Sequence, residues 1–296
     1  MLPKVPFNLR NMQVTIKNSE TRQHVHMSTS GQKFLYSGTE TDITDHAAAL
    51  IIAEAYRSVK DHGLFSLVLA GGNSPRQLYR QLAQGVAPDI LERFGIAIPR
   101  QESDKSKGHI IVMPWEKTWL FWGDERSVPV GHPDSNYNMA RETMLLQAPV
   151  PDNHIFRMPA EQEDGESAAK KYEETILTFF KTACPLSVLT WPIFDLIILG
   201  VGDDGHTASL FAGNTDALKE TTKWVVSVNE ALAKPPGKRL TITLPVINHA
   251  RNVLFFTSGK NKAWLANKIF LNEEMRVPAS LVALENGNVY WFTTQL

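Results

Sequence analysis

The chain is nearly free of cysteine, since Cys184 is the only one in 296 residues. One cysteine cannot form an intrachain disulfide, and disulfide frameworks are typical of secreted proteins. The sequence also lacks an apolar run near the ~18 residues that a membrane-spanning helix needs, and its first residues lack the apolar core of a secretory leader. These absences predict a soluble protein of a reducing compartment, and we expect it in the cytoplasm.

The sequence also lacks an excess of charge of either sign. Its 30 lysines and arginines balance 31 aspartates and glutamates, which leaves a formal net charge of −1. Such a chain has no general electrostatic attraction for nucleic acid or for an acidic membrane surface. We expect neither as a partner, so any anion must bind to a local group of cations. The composition carries no signal of the oligomeric state.

Polarity divides the chain into two unequal parts. Residues 1–32 are polar and weakly periodic, which predicts an N-terminal extension that is partly disordered. Residues 33–296 are enough for one large α/β domain with its own core. This second part contains no internal repeat and no clear linker, which favours a single domain.

Short apolar segments rich in β-branched residues alternate with amphipathic segments along the chain. This alternation predicts an α/β fold whose mainly parallel sheet is covered by helices on both faces. The predicted strands are residues 33–37, 65–70, 119–122, 194–199, 224–228, 240–244, 253–257 and 280–283. The predicted helices are residues 44–62, 75–84, 136–145, 163–182 and 262–270.

Three of the predicted strands end in loops that combine glycine with reactive or charged residues. These loops are 71–75 (Gly-Gly-Asn-Ser-Pro), 123–126 (Gly-Asp-Glu-Arg) and 202–206 (Gly-Asp-Asp-Gly-His). The carboxyl ends of parallel strands meet at one edge of a sheet, where ligands bind. Each loop alone is ordinary, but together they predict one site.

The loop 71–75 has the pattern of a phosphate-binding turn, because glycines let backbone N–H groups approach an anion at the start of a helix. A tight turn without a ligand is the alternative. The loop is neither a dinucleotide G-x-G-x-x-G motif nor a P-loop, so we predict no nucleotide cofactor. Arg239 and Lys262 are candidates for the second half of a phosphate clamp, since arginine binds phosphate through two N–H groups and lysine adds a point charge. As isolated residues, both also fit a solvated surface.

His206 is the candidate for a catalytic base. It follows two aspartates and three glycines at the end of a predicted strand. Histidine ordinarily titrates near pH 6.5, which suits a general base around neutrality, and Asp204 could orient it. Metal binding is the rival use, but there is no second histidine or cysteine at ligand spacing nearby, so we predict no metal.

Five motifs in order resemble those of the 6-phosphogluconolactonases, of the wider glucosamine-6-phosphate isomerase/6-phosphogluconolactonase family. The motifs are LAGGNSP, WGDERSVPVGHPDSNYNM, FDLIILGVGDDGHTASLF, RLTITLPVINHA and GKNKA. The resemblance spans residues 39–292, and the polar insertion 98–107 is additional to it. It implies a modified Rossmann-like, three-layer α/β/α fold. It also implies hydrolysis of 6-phospho-D-glucono-1,5-lactone to 6-phospho-D-gluconate, the second step of the oxidative pentose phosphate pathway.

The resemblance assigns roles to particular residues. It implies that His206 activates a water molecule, and that Asp204, Asp124 and Arg126 line the sugar end of the catalytic site. The implied partner is therefore a small phosphosugar lactone, with no cofactor. The residues implied to bind its 6-phosphate are Gly71, Gly72, Asn73, Ser74, Arg239 and Lys262.

Two other functions remain open at this point. A sugar-phosphate deaminase or isomerase, such as glucosamine-6-phosphate deaminase, typically carries Asp-Glu-Tyr where this chain has Asp-Glu-Arg at 124–126. The residues 207–211 (Thr-Ala-Ser-Leu-Phe) likewise follow the lactonase pattern. A non-catalytic sugar-phosphate sensor is the second alternative, although a binding protein does not need a base at neutral pH.

Overall fold

A sheet of mostly parallel strands forms the centre of the protein. The structure is a computed structural model, and it describes residues 12–17, 22–28, 31–98, 109–183, 190–271, 276–284 and 286–295. The strands are β1 (Met12–Lys17), β2 (Arg22–Ser28), β3 (Gly31–Gly38), β4 (Phe65–Leu69), β5 (Thr118–Trp122), β6 (Asp124–Arg126), β7 (Ile155–Phe156), β8 (Leu196–Leu199), β9 (Val225–Glu230), β10 (Gly237–Ile242), β11 (Asn252–Thr257) and β12 (Asn288–Thr294). The central sheet has the order β1-β2-β3-β12-β11-β8-β4-β5-β7, and the strands from β3 to β7 in this order are parallel.

Helices pack on both faces of this sheet. The inner strands β4, β8 and β11 are buried at every residue, as expected for a parallel sheet between two helical layers. The three-layer α/β fold predicted from the sequence is thereby confirmed. The helices are α1 (Glu40–His62), α2 (Arg76–Gln84), α3 (Pro88–Arg93), α4 (Asn136–Ala140), α5 (Gly165–Ala183), α6 (Thr215–Lys219), α7 (Leu244–Asn248) and α8 (Lys260–Phe270).

The helix α1 begins at Glu40 rather than at residue 44 because a capping box precedes it. The hydroxyl of Thr39 accepts the backbone N–H of Asp42 at 3.1 Å, and the Asp42 carboxylate accepts the backbone N–H of Thr39 at 3.1 Å. These bonds satisfy donors that an uncapped helix leaves free. At the other end Gly63 adopts a φ of 88°, the left-handed conformation that ends the helix where the sequence predicts.

The structure differs from the sequence prediction in the N-terminal segment. Strands β1 and β2 extend the central sheet, because β2 pairs antiparallel with both β1 and β3. The sequence analysis predicts neither of these two strands, and the partial disorder of the extension stays a prediction. The apolar residues Met12, Val14 and Ile16 alternate with polar ones. This two-residue period is typical of a strand. The division of the chain at residue 32 stays a prediction.

A second, antiparallel sheet adjoins the central one, and the sequence analysis does not predict it. Its order is β6-β10-β9. Residues 124–126, predicted as a loop, are thus a strand, and the strand predicted at 240–244 is β10, which ends at Ile242. Gly123 joins the two sheets, since its N–H donates to the carbonyl of Leu69 at 3.0 Å and its own carbonyl accepts the N–H of Ile242 at 2.9 Å.

The strand predicted at residues 280–283 is wrong. Pro278–Leu281 form a turn of 3-10 helix, and the fixed φ of proline suits the first helical turn. The last strand is instead β12, which pairs in parallel with β3 and β11. Its apolar residues have no alternating pattern because this inner strand is covered on both faces.

Two features of the sequence analysis lie outside the described residues. They are Cys184 and all but the first residue of the polar insertion 98–107. In the described part of the chain, no helix combines the length and apolar character needed to cross a membrane.

Candidate active site

A cavity of about 630 Å³ opens at the carboxyl edge of the central sheet. The loops that follow β4, β5 and β8 contribute to its walls. The residues that the sequence analysis assigns to the site all line this one cavity: Gly71, Gly72, Asn73, Ser74, Asp124, Arg126, Asp204, His206, Arg239 and Lys262. The fold therefore brings the candidate base and the candidate phosphate clamp into one site.

His206 forms a pair with Asp204. The imidazole Nδ1 lies 2.5 Å from Oδ1 of Asp204, and the backbone N–H of His206 donates to the same oxygen at 3.2 Å. The hydrogen bond with the imidazole lowers the pKa of Asp204 below its ordinary value. A carboxylate at Nδ1 favours the tautomer with its proton on that nitrogen, so the lone pair of the neutral ring lies on Nε2. Nε2 is then the atom that can accept a proton from water.

The loop around His206 holds the imidazole in place. Phe211 packs against it with the ring centroids 4.3 Å apart, and the N–H of Gly202 donates to the carbonyl of His206 at 2.9 Å. A Cβ atom on Gly202 would lie 2.1 Å from the imidazole Nδ1. Only glycine fits beside the ring in this position.

Asp124 links the loops of the cavity. This buried carboxylate accepts the Ser209 hydroxyl at 2.6 Å through Oδ2 and the Asn136 side-chain amide at 3.0 Å through Oδ1. Ser209 belongs to the segment after His206. The side chain of Asn136 packs against the loop 71–75, because a Cβ on Gly71 would lie 1.9 Å from Oδ1 of Asn136. The carboxylate of Asp124 thus connects the segment that follows His206 with the loop 71–75.

Arg126 and Arg239 place two cations side by side in the cavity wall. They lie opposite each other on β6 and β10, so their side chains project from the same face. Arg239 is 4% exposed, and its Nη2 donates to the carbonyl of Pro235 at 2.5 Å. Arg126 donates from Nη1 to the carbonyl of Asp134 at 2.5 Å. The buried Nε atoms of both arginines have no hydrogen-bond partner among the described residues.

This pair of arginines carries charge that no close carboxylate balances. Burial lowers the pKa of Arg239, the Asp124 carboxylate partly opposes this effect, and the charge of Arg126 lowers the pKa further. Over the described ranges, neither guanidinium lies within 4 Å of a carboxylate oxygen. An anionic substrate in the cavity would supply the negative charge that balances these guanidinium groups.

Glu125 lies between Asp124 and Arg126 in the chain, and its carboxylate holds neighbouring segments of the site in place. Its buried carboxylate accepts the backbone N–H groups of Arg126, Asn136 and Tyr137 at 2.7 to 2.8 Å and the hydroxyl of Ser135 at 3.0 Å. Burial raises the pKa of Glu125, against the effect of these backbone donors. The bonds fix the start of α4 relative to β6, which positions Arg126 and Asn136.

Lys262 and Arg76 add further positive charge to the cavity. Lys262 lies in the first turn of α8, and it has no ion pair within the part of the chain that the structure describes. Arg76 is the first residue of α2, and its Nε donates to Oδ1 of Asn73 at 3.2 Å. The side-chain oxygen of Asn73 is thus engaged with a cation of the protein.

Known proteins are similar in sequence to most of the chain. The sequence model of the family described as glucosamine-6-phosphate isomerases/6-phosphogluconolactonase matches residues 38–291. The chain belongs to this family. A 6-phosphogluconolactonase of Synechocystis is 34% identical over 255 residues, which cover 86% of this chain and 91% of the relative. A probable 6-phosphogluconolactonase 1 of Arabidopsis thaliana is 36% identical over 261 residues, or 85% of each chain.

Solved structures of 6-phosphogluconolactonases have the same fold as this family member. The enzyme from Trypanosoma cruzi matches with a TM-score of 0.68 and 26% identity, over 91% of this chain and 96% of that one. The enzyme from Trypanosoma brucei matches with a TM-score of 0.65 and 27% identity, over 87% of this chain and 94% of that one.

Within the family match lie site residues that the sequence analysis does not single out. Asn136, Ser209 and Phe211 stand inside the motifs that carry the resemblance, and Arg76 follows the first of them. A buried polar side chain needs a hydrogen-bond partner, which makes Asn136 and Ser209 candidates for such links. No local pattern, however, indicates that Asp124 is the partner of both.

The described residues contain no group of three or more histidine, cysteine, aspartate or glutamate side chains placed to hold a metal ion. The expectation that this family member works without a metal and without a cofactor stays a prediction. The cavity offers cations, backbone N–H groups of the glycine loop, and an imidazole whose Nε2 has no hydrogen-bond partner among the described residues.

Proposed function

We propose that the protein hydrolyses 6-phospho-D-glucono-1,5-lactone to 6-phospho-D-gluconate, the second step of the oxidative pentose phosphate pathway. One observation carries the proposal: the imidazole of His206, oriented by Asp204, lines the same cavity as the paired guanidinium groups of Arg126 and Arg239. A base and an anion site in one cavity suit an ester that carries a phosphate. The names of the relatives support the same reaction.

The phosphate end of the substrate would bind to the cations. Arg239 and Lys262 supply charge, and the N–H groups of the loop 71–75 at the start of α2 supply further donors. Holding the phosphate fixes the lactone carbonyl within reach of a water molecule at His206. Positioning of this kind converts an encounter in solution into a reaction between groups already in place.

His206 would act as the general base. Its Nε2 takes a proton from water while the water oxygen bonds to C1 of the lactone, which produces a tetrahedral oxyanion. The bond between C1 and the ring oxygen then breaks, and the ring oxygen receives the proton from the imidazolium. The negative charge of Asp204 stabilises this imidazolium. A positioned base contributes about 10²- to 10⁴-fold in rate.

The oxyanion at C1 would need hydrogen-bond donors. Arg126 lines the cavity and carries a positive charge, and the glycine loop offers backbone N–H groups. Donors aimed at a developing oxyanion contribute about 10²- to 10³-fold in rate. We assign Arg126 to the sugar end of the substrate for this reason.

Lactone hydrolysis measured above its spontaneous rate tests the proposed function. We expect the purified protein to accelerate hydrolysis of 6-phospho-D-glucono-1,5-lactone, followed as acid release at constant pH, and to release no ammonia from glucosamine 6-phosphate. Ammonia release without lactone hydrolysis would favour the deaminase instead. Saturable binding of 6-phosphogluconate without either activity would favour a sensor.

We also expect the protein to act in the cytoplasm, because its proposed substrate is a soluble phosphosugar and its composition fits a reducing compartment. Cell fractionation with an antibody against the protein tests this expectation. Recovery in a membrane or organelle fraction would contradict it.

A further inference from the structure

Arg76 lines the cavity but has no role in the reaction described above. It is the first residue of α2, directly after the glycine loop, and its side chain is half-buried. Its Nε donates to the side-chain oxygen of Asn73 at 3.2 Å, and its backbone N–H donates to the carbonyl of the same residue at 3.3 Å. One edge of the guanidinium is therefore held by Asn73. The two Nη atoms have no partner among the described residues.

The charge of Arg76 has no close counter-ion, unlike that of several arginines elsewhere. Four arginines outside the cavity each lie within 4 Å of a carboxylate oxygen: Arg57 with Glu54, Arg93 with Asp42, Arg157 with Glu161, and Arg251 with Asp195. Within the same described ranges, Arg76, Arg126 and Arg239 line the cavity without such a partner. Arg239 adds a second, independent sign of an anion site, since it is buried and its Nε is unpaired.

We propose that Arg76 is a further ligand of the substrate's phosphate and that Asn73 is a positioning residue that aims it. The three terminal oxygens of a phosphate monoester can accept more hydrogen bonds than one arginine and one lysine donate, so the group can bind a further guanidinium. Arginine held at Nε presents its Nη atoms for charge-assisted hydrogen bonds. This inference rests on the proposed function and changes the role of Asn73 from phosphate contact to support of Arg76.

The variant Arg76→Gln tests the phosphate contact, and Arg80→Gln is its matched control. Arg80 lies one turn further along α2, is exposed, bonds only to Gln77 within the described residues, and does not line the cavity. Loss of one charge-assisted hydrogen bond corresponds to roughly a 10-fold rise in KM for the phosphorylated lactone, with kcat nearly unchanged. Inhibition by inorganic phosphate should weaken by the same factor. Arg80→Gln should leave both values at those of the parent protein.

The variant Asn73→Ala tests the positioning role. It should raise KM in the same direction as Arg76→Gln but by less, about 3-fold, because the guanidinium remains and only its orientation is lost. In the Arg76→Gln background, Asn73→Ala should add nothing. Independent, additive effects of the two changes would overturn the positioning role.

Calorimetric binding of inorganic phosphate keeps this inference separate from the proposed reaction. If the parent protein binds phosphate but hydrolyses no lactone, the proposed function fails while weaker binding by Arg76→Gln still supports the phosphate contact. Unchanged phosphate binding and unchanged KM in Arg76→Gln would overturn the inference, even in an active lactonase. Should that variant unfold, Arg76→Lys keeps the charge and should bind phosphate more weakly than the parent protein.

Discussion

Two histidine–aspartate pairs stand at opposite ends of the same strand, β8, and they differ in what surrounds the carboxylate. Asp195 directly precedes the strand and pairs with His62, whose Nε2 lies 2.9 Å from its Oδ1. Asp204 follows the strand and pairs with His206 at 2.5 Å. The two histidine side chains are almost equally exposed, at 31% and 29%, but the carboxylates are 3% and 61% exposed. Residue type and distance therefore do not separate the pairs.

The carboxylate of Asp195 is saturated with donors. Besides His62, it accepts the backbone N–H and the hydroxyl of Ser66, both at 2.8 Å, and it lies 3.3 Å from Nε of Arg251. Ser66 belongs to β4, the neighbour of β8 in the sheet. This pair fixes the amino ends of two inner strands, and its buried carboxylate has no capacity left for a substrate.

Among the other described residues, only His206 bonds to the carboxylate of Asp204, through its ring and its backbone N–H. Its histidine keeps Nε2 for a water molecule and faces a cavity lined by cations. Under the proposed function, the catalytic pair differs from the structural pair in its unsatisfied atoms that face a cavity. The same two residue types become a structural anchor where both carboxylate oxygens are buried and hydrogen-bonded.

The largest effect should come from Asp204→Asn. The amide can donate to Nδ1 and so favour the tautomer with its proton on Nε2, which removes the acceptor for the water proton. We expect kcat for lactone hydrolysis to fall by about 10²- to 10⁴-fold, with thermal stability close to that of the parent protein. Steady-state kinetics and a thermal unfolding curve check both parts. An Asp204→Asn variant with the parent kcat would show that the Asp204–His206 pair is not the catalytic one.

At the other end of β8, Asp195→Ala should affect stability rather than activity. The change leaves the N–H and hydroxyl of Ser66 and the imidazole of His62 without their acceptor, so we expect the free energy of unfolding to fall by about 3 kcal/mol. Chemical denaturation measures this change. The folded variant should keep kcat within about twofold. A large loss of kcat at unchanged stability would assign Asp195 to the chemistry.

A third histidine, His46, extends the comparison because it is buried among aromatic rings and pairs with no carboxylate in the part of the chain that the structure describes. Burial lowers its pKa to about 3. The unfolded chain binds a proton near the ordinary pKa of 6.5, so the unfolded state gains protons that the folded state excludes as pH falls below that value. Stability should therefore decline between about pH 6.5 and 3, by at most ~1.4 kcal/mol per pH unit.

The control for this pH dependence is His46→Phe, which cannot titrate. The slope of unfolding free energy against pH should be smaller in this variant below about pH 6.5, and equal to that of the parent above it. Denaturation series at several pH values give the two slopes. Equal slopes throughout would show that His46 does not cause the decline.

Much of the site follows from the sequence because parallel strands carry their loops to one edge. The segments 71–75, 123–126 and 202–206 could be placed together from that rule alone, and residues of all three line one cavity. The rule depends only on strand direction, which the alternation of strands and helices indicates. It needs no knowledge of side-chain contacts.

The parts that the sequence does not predict depend on contacts between distant residues. The strand β6 has three polar residues and no strand pattern, and it forms because β10 pairs with it. The link between Asp124 and Ser209 joins residues 85 positions apart, and that between His62 and Asp195 joins residues 133 apart. The inner strand β12 lacks the alternation by which an exposed strand is recognised.

The most direct test of the account compares kcat for His206→Asn and His62→Asn with 6-phospho-D-glucono-1,5-lactone as substrate. Asparagine keeps a polar side chain at both positions but cannot act as the base. We predict that His206→Asn lowers kcat by about 10²- to 10⁴-fold, while folded His62→Asn keeps the parent value. Parent activity in His206→Asn, or an equal loss in both variants, would contradict the assignment of the base to the carboxyl end of β8.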